Sequence, residues 1–78
     1  MLDLKSLKCF VVLAEELHFG RAADRLHISQ PPLSMKIRAL EAELGLPLFQ
    51  RSSRRVELTH SGQILLTEAR RVLNEFIT

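Results

Sequence analysis

The 78-residue sequence contains no tryptophan and no tyrosine, and its aromatic content of 5% comes from four phenylalanines. Aliphatic side chains must supply most of any core. A single cysteine, Cys9, excludes an internal disulfide framework and a cysteine-rich zinc site. It is compatible with a reducing compartment. The longest apolar run, Cys9 to Ala14, is far too short to span a bilayer. No basic leader followed by an apolar core and a small-residue cleavage site is present, so a cytoplasmic chain with no membrane partner is expected. His18, His27 and His60 share no metal-ligand spacing, and no nucleophile-and-base pattern surrounds them. No glycine-rich phosphate loop occurs. An enzyme, a metal site and a cofactor are therefore not expected.

The length fits one small domain. A chain this short buries only about 60% of its unfolded surface, so its core is marginal. Hydrophobic residues make up 46% of the chain and the formal net charge is +2. That excess is unevenly placed. From Arg21 to Arg55 seven bases face three acids, a local charge of +4 between net-negative flanks. A basic middle suits a polyanionic partner, although a solvated charged face has the same composition.

The stretch Arg21-Ala22-Ala23-Asp24-Arg25-Leu26-His27-Ile28-Ser29-Gln30-Pro31-Pro32-Leu33-Ser34 organises the rest. It predicts a short helix, a tight turn and the opening of a longer helix. Adjacent alanines let a second helix approach closely. Ser29 is a candidate N-cap whose hydroxyl accepts a bond from an amide one turn in. Pro31 and Pro32 then fall in the first turn, where a missing N–H costs nothing. Leu33, Ile37, Leu40 and Leu44 form one apolar stripe. Gly45 ends the helix, and Pro47 prevents its restart. Two helices joined by so short a turn make a helix-turn-helix. Opposite the stripe lie Pro31, Ser34, Met35 and Arg38.

The run Ala22-Ala23-x-x-Leu26-His27-Ile28-Ser29-Gln30-Pro31-Pro32-Leu33-Ser34 resembles the signature of LysR-type transcriptional regulators. So do Leu40-Glu41-x-Glu43-Leu44-Gly45-x-Pro47-Leu48-Phe49-x-Arg51 and Val56-x-Leu58-Thr59-x-x-Gly62. The resemblance covers essentially the whole chain in the right order. It implies a bacterial, mostly α, winged helix-turn-helix over residues 1–59, with three helices and a two-stranded wing. A linker and dimerisation helix over residues 60–78 follows. It also implies an effector-binding domain for a small molecule beyond residue 78.

Around the motif, Asp3 can cap a helix from about Leu4 to Glu16. Leu7, Phe10, Val11 and Ala14 form its core stripe. Val12, Leu13 and Cys9 give it a surplus apolar side, expected to lie under another helix, whether its own or a partner chain's. Gly20 is the expected cap of the next helix, with Phe19 as a staple ahead of it. After Gly45, Val56 and Leu58 alternate with charged residues as in a half-buried strand, and Ser52 and Ser53 suit a turn. That reads as a wing with Arg54 at its tip. Thr59 is the expected cap of the last helix, where Gly62 is a small cost. Leu65, Ala69, Val72 and Phe76 repeat as a coiled-coil-like seam, with Leu66, Leu73 and Ile77 beside it.

The expected function is sequence-specific binding of double-stranded DNA, with the second helix of the motif in the major groove. A winged-helix module for protein interaction is the alternative. Gln30, Ser34, Met35 and Arg38 are candidates for base contacts, and Met35 can touch a thymine methyl. Ser29, Pro31 and Pro32 open that helix against the DNA. Arg21, Lys36, Arg51, Arg54 and Arg55 are candidates for phosphate or wing contacts. Leu65, Ala69, Val72, Leu73 and Phe76 are the expected dimerisation residues. The expected assembly is a homodimer on inverted-repeat half-sites, or a tetramer in a full-length protein.

Overall fold

A computed structural model describes residues 3–77, and side-chain surroundings as far as residue 74. The elements run α1 (Leu4–Glu16), α2 (Phe19–Leu26), α3 (Gln30–Leu44), β1 (Phe49–Arg51), β2 (Val56–Leu58) and α4 (His60–Ile77). Asp3 starts α1 as expected. Its carboxylate accepts the Ser6 N–H at 2.7 Å, and that bond holds the acid below its usual range.

Helix α1 is the centre of the core. Cys9, Phe10, Val11, Val12, Leu13 and Ala14 are six consecutive buried residues. The surplus side expected from the sequence is real, but it is covered within the chain. Helices α2, α3 and α4 all pack on α1, so no partner chain is needed there. Phe10 meets Phe49 with ring centroids 5.5 Å apart and planes tilted by 58°, a favoured aromatic geometry. Burial pushes the Cys9 thiol up, against a weaker pull from nearby Lys36, which keeps it unreactive.

Two caps differ from expectation. Helix α2 begins one residue before Gly20, and His18 is its N-cap, with Nδ1 accepting the Arg21 N–H at 3.0 Å. Phe19 is therefore the first residue of the helix rather than a staple ahead of it. Ser29 occupies the N-cap position of α3, yet its hydroxyl makes no capping bond. The reason is its neighbours. A cap bonds the N–H of the second or third helical residue, and those are Pro31 and Pro32, which have none.

The turn between α2 and α3 uses His27 in the left-handed region, with φ 58°. Its N–H and that of Ile28 return to Ala23 and Asp24 carbonyls, closing the turn in three residues. His27 itself is exposed, so its backbone rather than its packing makes the corner. Helix α3 buries Leu33, Ile37 and Leu40 and stops at Gly45, with φ 69°. The Gly45 and Leu46 N–H groups close back on the Glu41 carbonyl, at 2.8 and 3.2 Å.

Strands β1 and β2 are antiparallel, pairing Phe49 with Leu58, Gln50 with Glu57 and Arg51 with Val56. Thr59 then caps α4 as expected. Its Oγ1 accepts the Gly62 N–H at 3.0 Å and donates to the Pro47 carbonyl at 2.7 Å. Gly62 is no mere cost. A Cβ there would lie 2.3 Å from the Leu48 carbonyl oxygen and 2.8 Å from Leu58 Cδ2. The helix crosses the loop too closely for any side chain. Among the described residues no helix is long and apolar enough to cross a membrane.

Candidate nucleic-acid interface

The outer surface of α3 carries the residues expected to read bases. Gln30, Pro31, Pro32, Met35 and Arg38 are exposed, and Ser34 is half-buried. At roughly 100° per residue, Gln30, Ser34 and Arg38 line one edge of the helix. Gln30 leans toward the start of α2, since its Nε2 lies 3.5 Å from where a Cβ on Gly20 would sit. Lys36 falls on the other edge.

The wing hangs beside the first of these edges. Its turn is held by Ser52, whose Oγ accepts the Arg55 N–H at 3.1 Å while its own N–H donates to the Arg55 carbonyl at 2.9 Å. Arg54 at the tip is exposed. Arg55 touches Glu57 at 3.2 Å, a solvent-exposed pair of little energetic weight. Arg54 is open to a phosphate, and Arg55 can exchange its exposed Glu57 partner for one.

Arg51, the third wing candidate, also has partners within the chain. Its Nη2 lies 3.5 Å from Glu41 Oε1, and its guanidinium sits 5.0 Å over the Phe19 ring. It ties the wing to α2 and α3. Glu41 completes the joint. Its Oε2 accepts the Leu48 N–H at 2.8 Å and the Phe49 N–H at 3.2 Å. Glu41 lies in a sequence motif quoted above, but its role was not read there. A carboxylate seven residues before the amide it serves leaves no periodic signal.

Arg21, a candidate for a phosphate, is exposed, and its guanidinium rests on the end of α1, with Nε on Glu16 Oε1 and Nη2 on the Glu16 carbonyl, both at 3.2 Å. Arg25 adds bonds to Glu15 at 2.9 Å and Glu16 at 3.2 Å, and Arg70 reaches Glu15 at 3.1 Å. Burial alone would raise the Glu15 carboxyl, but hydrogen bonds from Arg25 and Arg70 hold it below its ordinary value. These arginines join α1, α2 and α4.

Lys36 has company that the sequence reading missed. It lines a shallow cleft of about 160 Å³ with Lys5 and Lys8 of α1, over a floor of Cys9, Leu26 and Ile28. Three lysines thus stand on the edge of α3 away from the wing. The available signal was the spacing of Lys5 and Lys8, one helical turn apart on one face.

On α4 the expected dimerisation set divides. Ala69 is buried in the chain's own core, and Leu65, Leu66 and Leu73 pack partly against it. The side chain of Phe76 lies outside the described residues. What faces solvent is Ile64, 56% exposed, and Val72, 36% exposed, with Leu46 alongside at 47%. Leu44, Leu48 and Leu65 complete an apolar cleft of about 230 Å³ between Ile64 and Leu46. The broad stripe of α4 is mostly consumed by α1, and its exposed remainder is shifted by about a quarter of a turn.

This arrangement has close counterparts. The family model of bacterial regulatory helix-turn-helix proteins of the lysR family matches residues 4–63. The transcriptional regulator XapR of Escherichia coli (strain K12) is 62% identical over 71 residues, covering 91% of this chain and 24% of its own length. The chain thus spans about a quarter of that relative. The DNA-binding domain of BenM, solved on catB site 1 DNA, superposes with a TM-score of 0.92 at 43% identity, over 96% of this chain and 83% of that one. The CbnR DNA-binding domain in its DNA complex gives 0.90 at 45% identity, over 94% of this chain and 84% of that one. Helix-turn-helix, wing and α4 all match in order, and the chain belongs to the LysR family of bacterial regulatory helix-turn-helix proteins.

Proposed function

We propose that the chain is the DNA-binding module of a transcriptional regulator, reading double-stranded DNA in sequence-specific fashion with α3 in the major groove. One observation carries this reading. One edge of the exposed surface of α3 is joined through Glu41 to the wing that carries the exposed Arg54 and Arg55, and Lys5, Lys8 and Lys36 cluster at the other. The major groove has a phosphate strand on each side, so a reading helix needs anchors on both flanks. A module for binding protein alone has no use for that symmetry. The relatives solved on DNA support the same pose. The module acts in the cytoplasm and performs no catalysis of its own.

Two copies join through α4, placing two α3 helices on inverted half-sites about one helical turn or a multiple of it apart. The exposed Ile64, Val72 and Leu46 support this pairing. The residues 1–59 unit is the reader and α4 the coupling helix. A small-molecule effector belongs to the part of the longer relatives that this chain does not span.

Selection of bound fragments from random duplex, followed by gel shift across a salt titration, tests the reading. A recurrent inverted repeat bound far more tightly than random duplex, with affinity falling steeply in salt, is expected. Salt-insensitive binding or no sequence enrichment would overturn it. Ile64→Glu with Val72→Glu should give monomers in sedimentation and weak operator binding, with the fold intact because both positions are exposed.

A further inference from the structure

The solvent face of α3 is unusual for a surface helix. Such faces are ordinarily polar. Here Pro31, Met35, Ala39 and Ala42 lie within a sector roughly 80° wide, directly opposite the buried Leu33, Ile37 and Leu40, and all four are exposed. Met35 is 69% exposed, the most of any large hydrophobic side chain among the described residues. It stands at the middle of this apolar ridge. Hydrogen-bonding side chains flank the ridge on both edges, Gln30, Ser34 and Arg38 on one and Lys36 and Glu43 on the other.

An apolar ridge facing a major groove has one matching feature there. The floor and edges of the groove present donors and acceptors, and the C5-methyl of thymine is its apolar group. A thioether hydrogen-bonds weakly, and it is long and flexible enough to settle against a methyl. The ridge also brings no carboxamide or guanidinium whose own needs would go unmet against that methyl.

We infer that Met35 is a specificity-determining residue that selects thymine in each half-site by direct contact with its C5-methyl. This inference rests on the DNA-binding reading above. Base readout by this chain is then divided. Gln30, Ser34 and Arg38 read hydrogen bonds on one edge of α3, while its crest reads a methyl group.

The experiment starts from the selected operator and replaces each thymine of a half-site, one at a time, with deoxyuridine. That exchange removes the methyl and leaves every hydrogen-bonding group in place. At one or two positions affinity should fall about fourfold, the value of one buried methyl-sized group. In Met35→Ala the same exchange should change affinity less than twofold, while thermal melting stays as in the parent chain. The inference is overturned if no thymine responds on an operator that is bound tightly, if the selected half-site holds no thymine, or if the response survives in Met35→Ala. Each of those outcomes leaves sequence-specific binding standing. Loss of the DNA-binding reading itself would show differently, as an absence of any selected operator.

Discussion

Glu41 Oε1 lies 3.5 Å from Arg51 Nη2 while Oε2 of the same carboxylate accepts the Leu48 and Phe49 N–H groups. One side chain on the recognition helix thus fixes where the wing starts. The two short strands cannot do so themselves, since an isolated two-stranded ribbon is marginal in water.

Glu41→Ala should therefore destabilise the chain by about 1–3 kcal/mol, because two partly buried amides lose their acceptor. Chemical denaturation measures it. Arg54→Ala, at the tip of the same wing, should stay within about 0.5 kcal/mol of the parent. Equal losses in the two variants would mean that the carboxylate is not what fixes the wing.

Ser29→Ala should be close to neutral in a thermal melt. An ordinary N-cap loss costs about 1 kcal/mol, but the amides Ser29 would serve are replaced by proline nitrogens. Asp3→Ala supplies the contrast, since its cap bond to Ser6 exists at 2.7 Å. That variant should show the ordinary loss.

Gly62→Ala should destabilise, although alanine is the better helix former by as much as about 1 kcal/mol. The added methyl would meet the Leu48 carbonyl oxygen at 2.3 Å, which is backbone and cannot swing aside. Overpacking of this kind costs about 1–3 kcal/mol. A melting temperature above the parent's would show that α4 and the Leu48 loop can separate freely.

The two cationic flanks should act additively on DNA. Arg54→Ala with Arg55→Ala, and separately Lys5→Ala with Lys8→Ala, should each flatten the salt dependence of binding by roughly one unit per lost phosphate contact. Each pair should weaken operator and random duplex by similar factors. Gel shifts at several salt concentrations decide it, and an unchanged slope removes that flank from the DNA.

Acid should loosen the joint between α1, α2 and α4. Glu15 has its carboxyl held below its ordinary value of 4.5, so its contribution is present above that pH and is lost as the pH falls. The pairs are solvent-screened, so the effect is no more than about 1 kcal/mol. Glu15→Gln should melt below the parent at pH 7, and the difference should close as the pH falls through the lowered range of the Glu15 carboxyl.

The sequence was most informative where periodicity or turn chemistry acts locally. The bounds of α1, the stripe of α3, the stop at Gly45 and the Thr59 cap all follow from residues within a few positions of one another. The wing followed from alternation and from the two serines of its turn. What stayed hidden depends on contacts across the fold. Gly62 looks like a weak helix residue until Leu48 is seen beneath it. Ala69 looks like half of a seam until α1 is seen against it. The partners of Arg21 and Arg51, Glu16 and Glu41, come from other elements and left no local signal. Ser29 is the exception, a local misreading, since the two prolines that silence its cap stand next to it.

The seating of α4 on α1 has a mechanical consequence. Ala69 is packed into the core and Arg70 is tied to Glu15, which Arg25 also holds. The helix therefore turns together with the reading head as one rigid crank. At about 1.5 Å per residue, its 18 residues span roughly 27 Å. A pivot of about 10° at one end would sweep the other by roughly 5 Å, more than the rise of one base pair along a DNA strand. In a pair of such cranks, the angle between the two α4 helices becomes the dial that sets which half-site spacing fits.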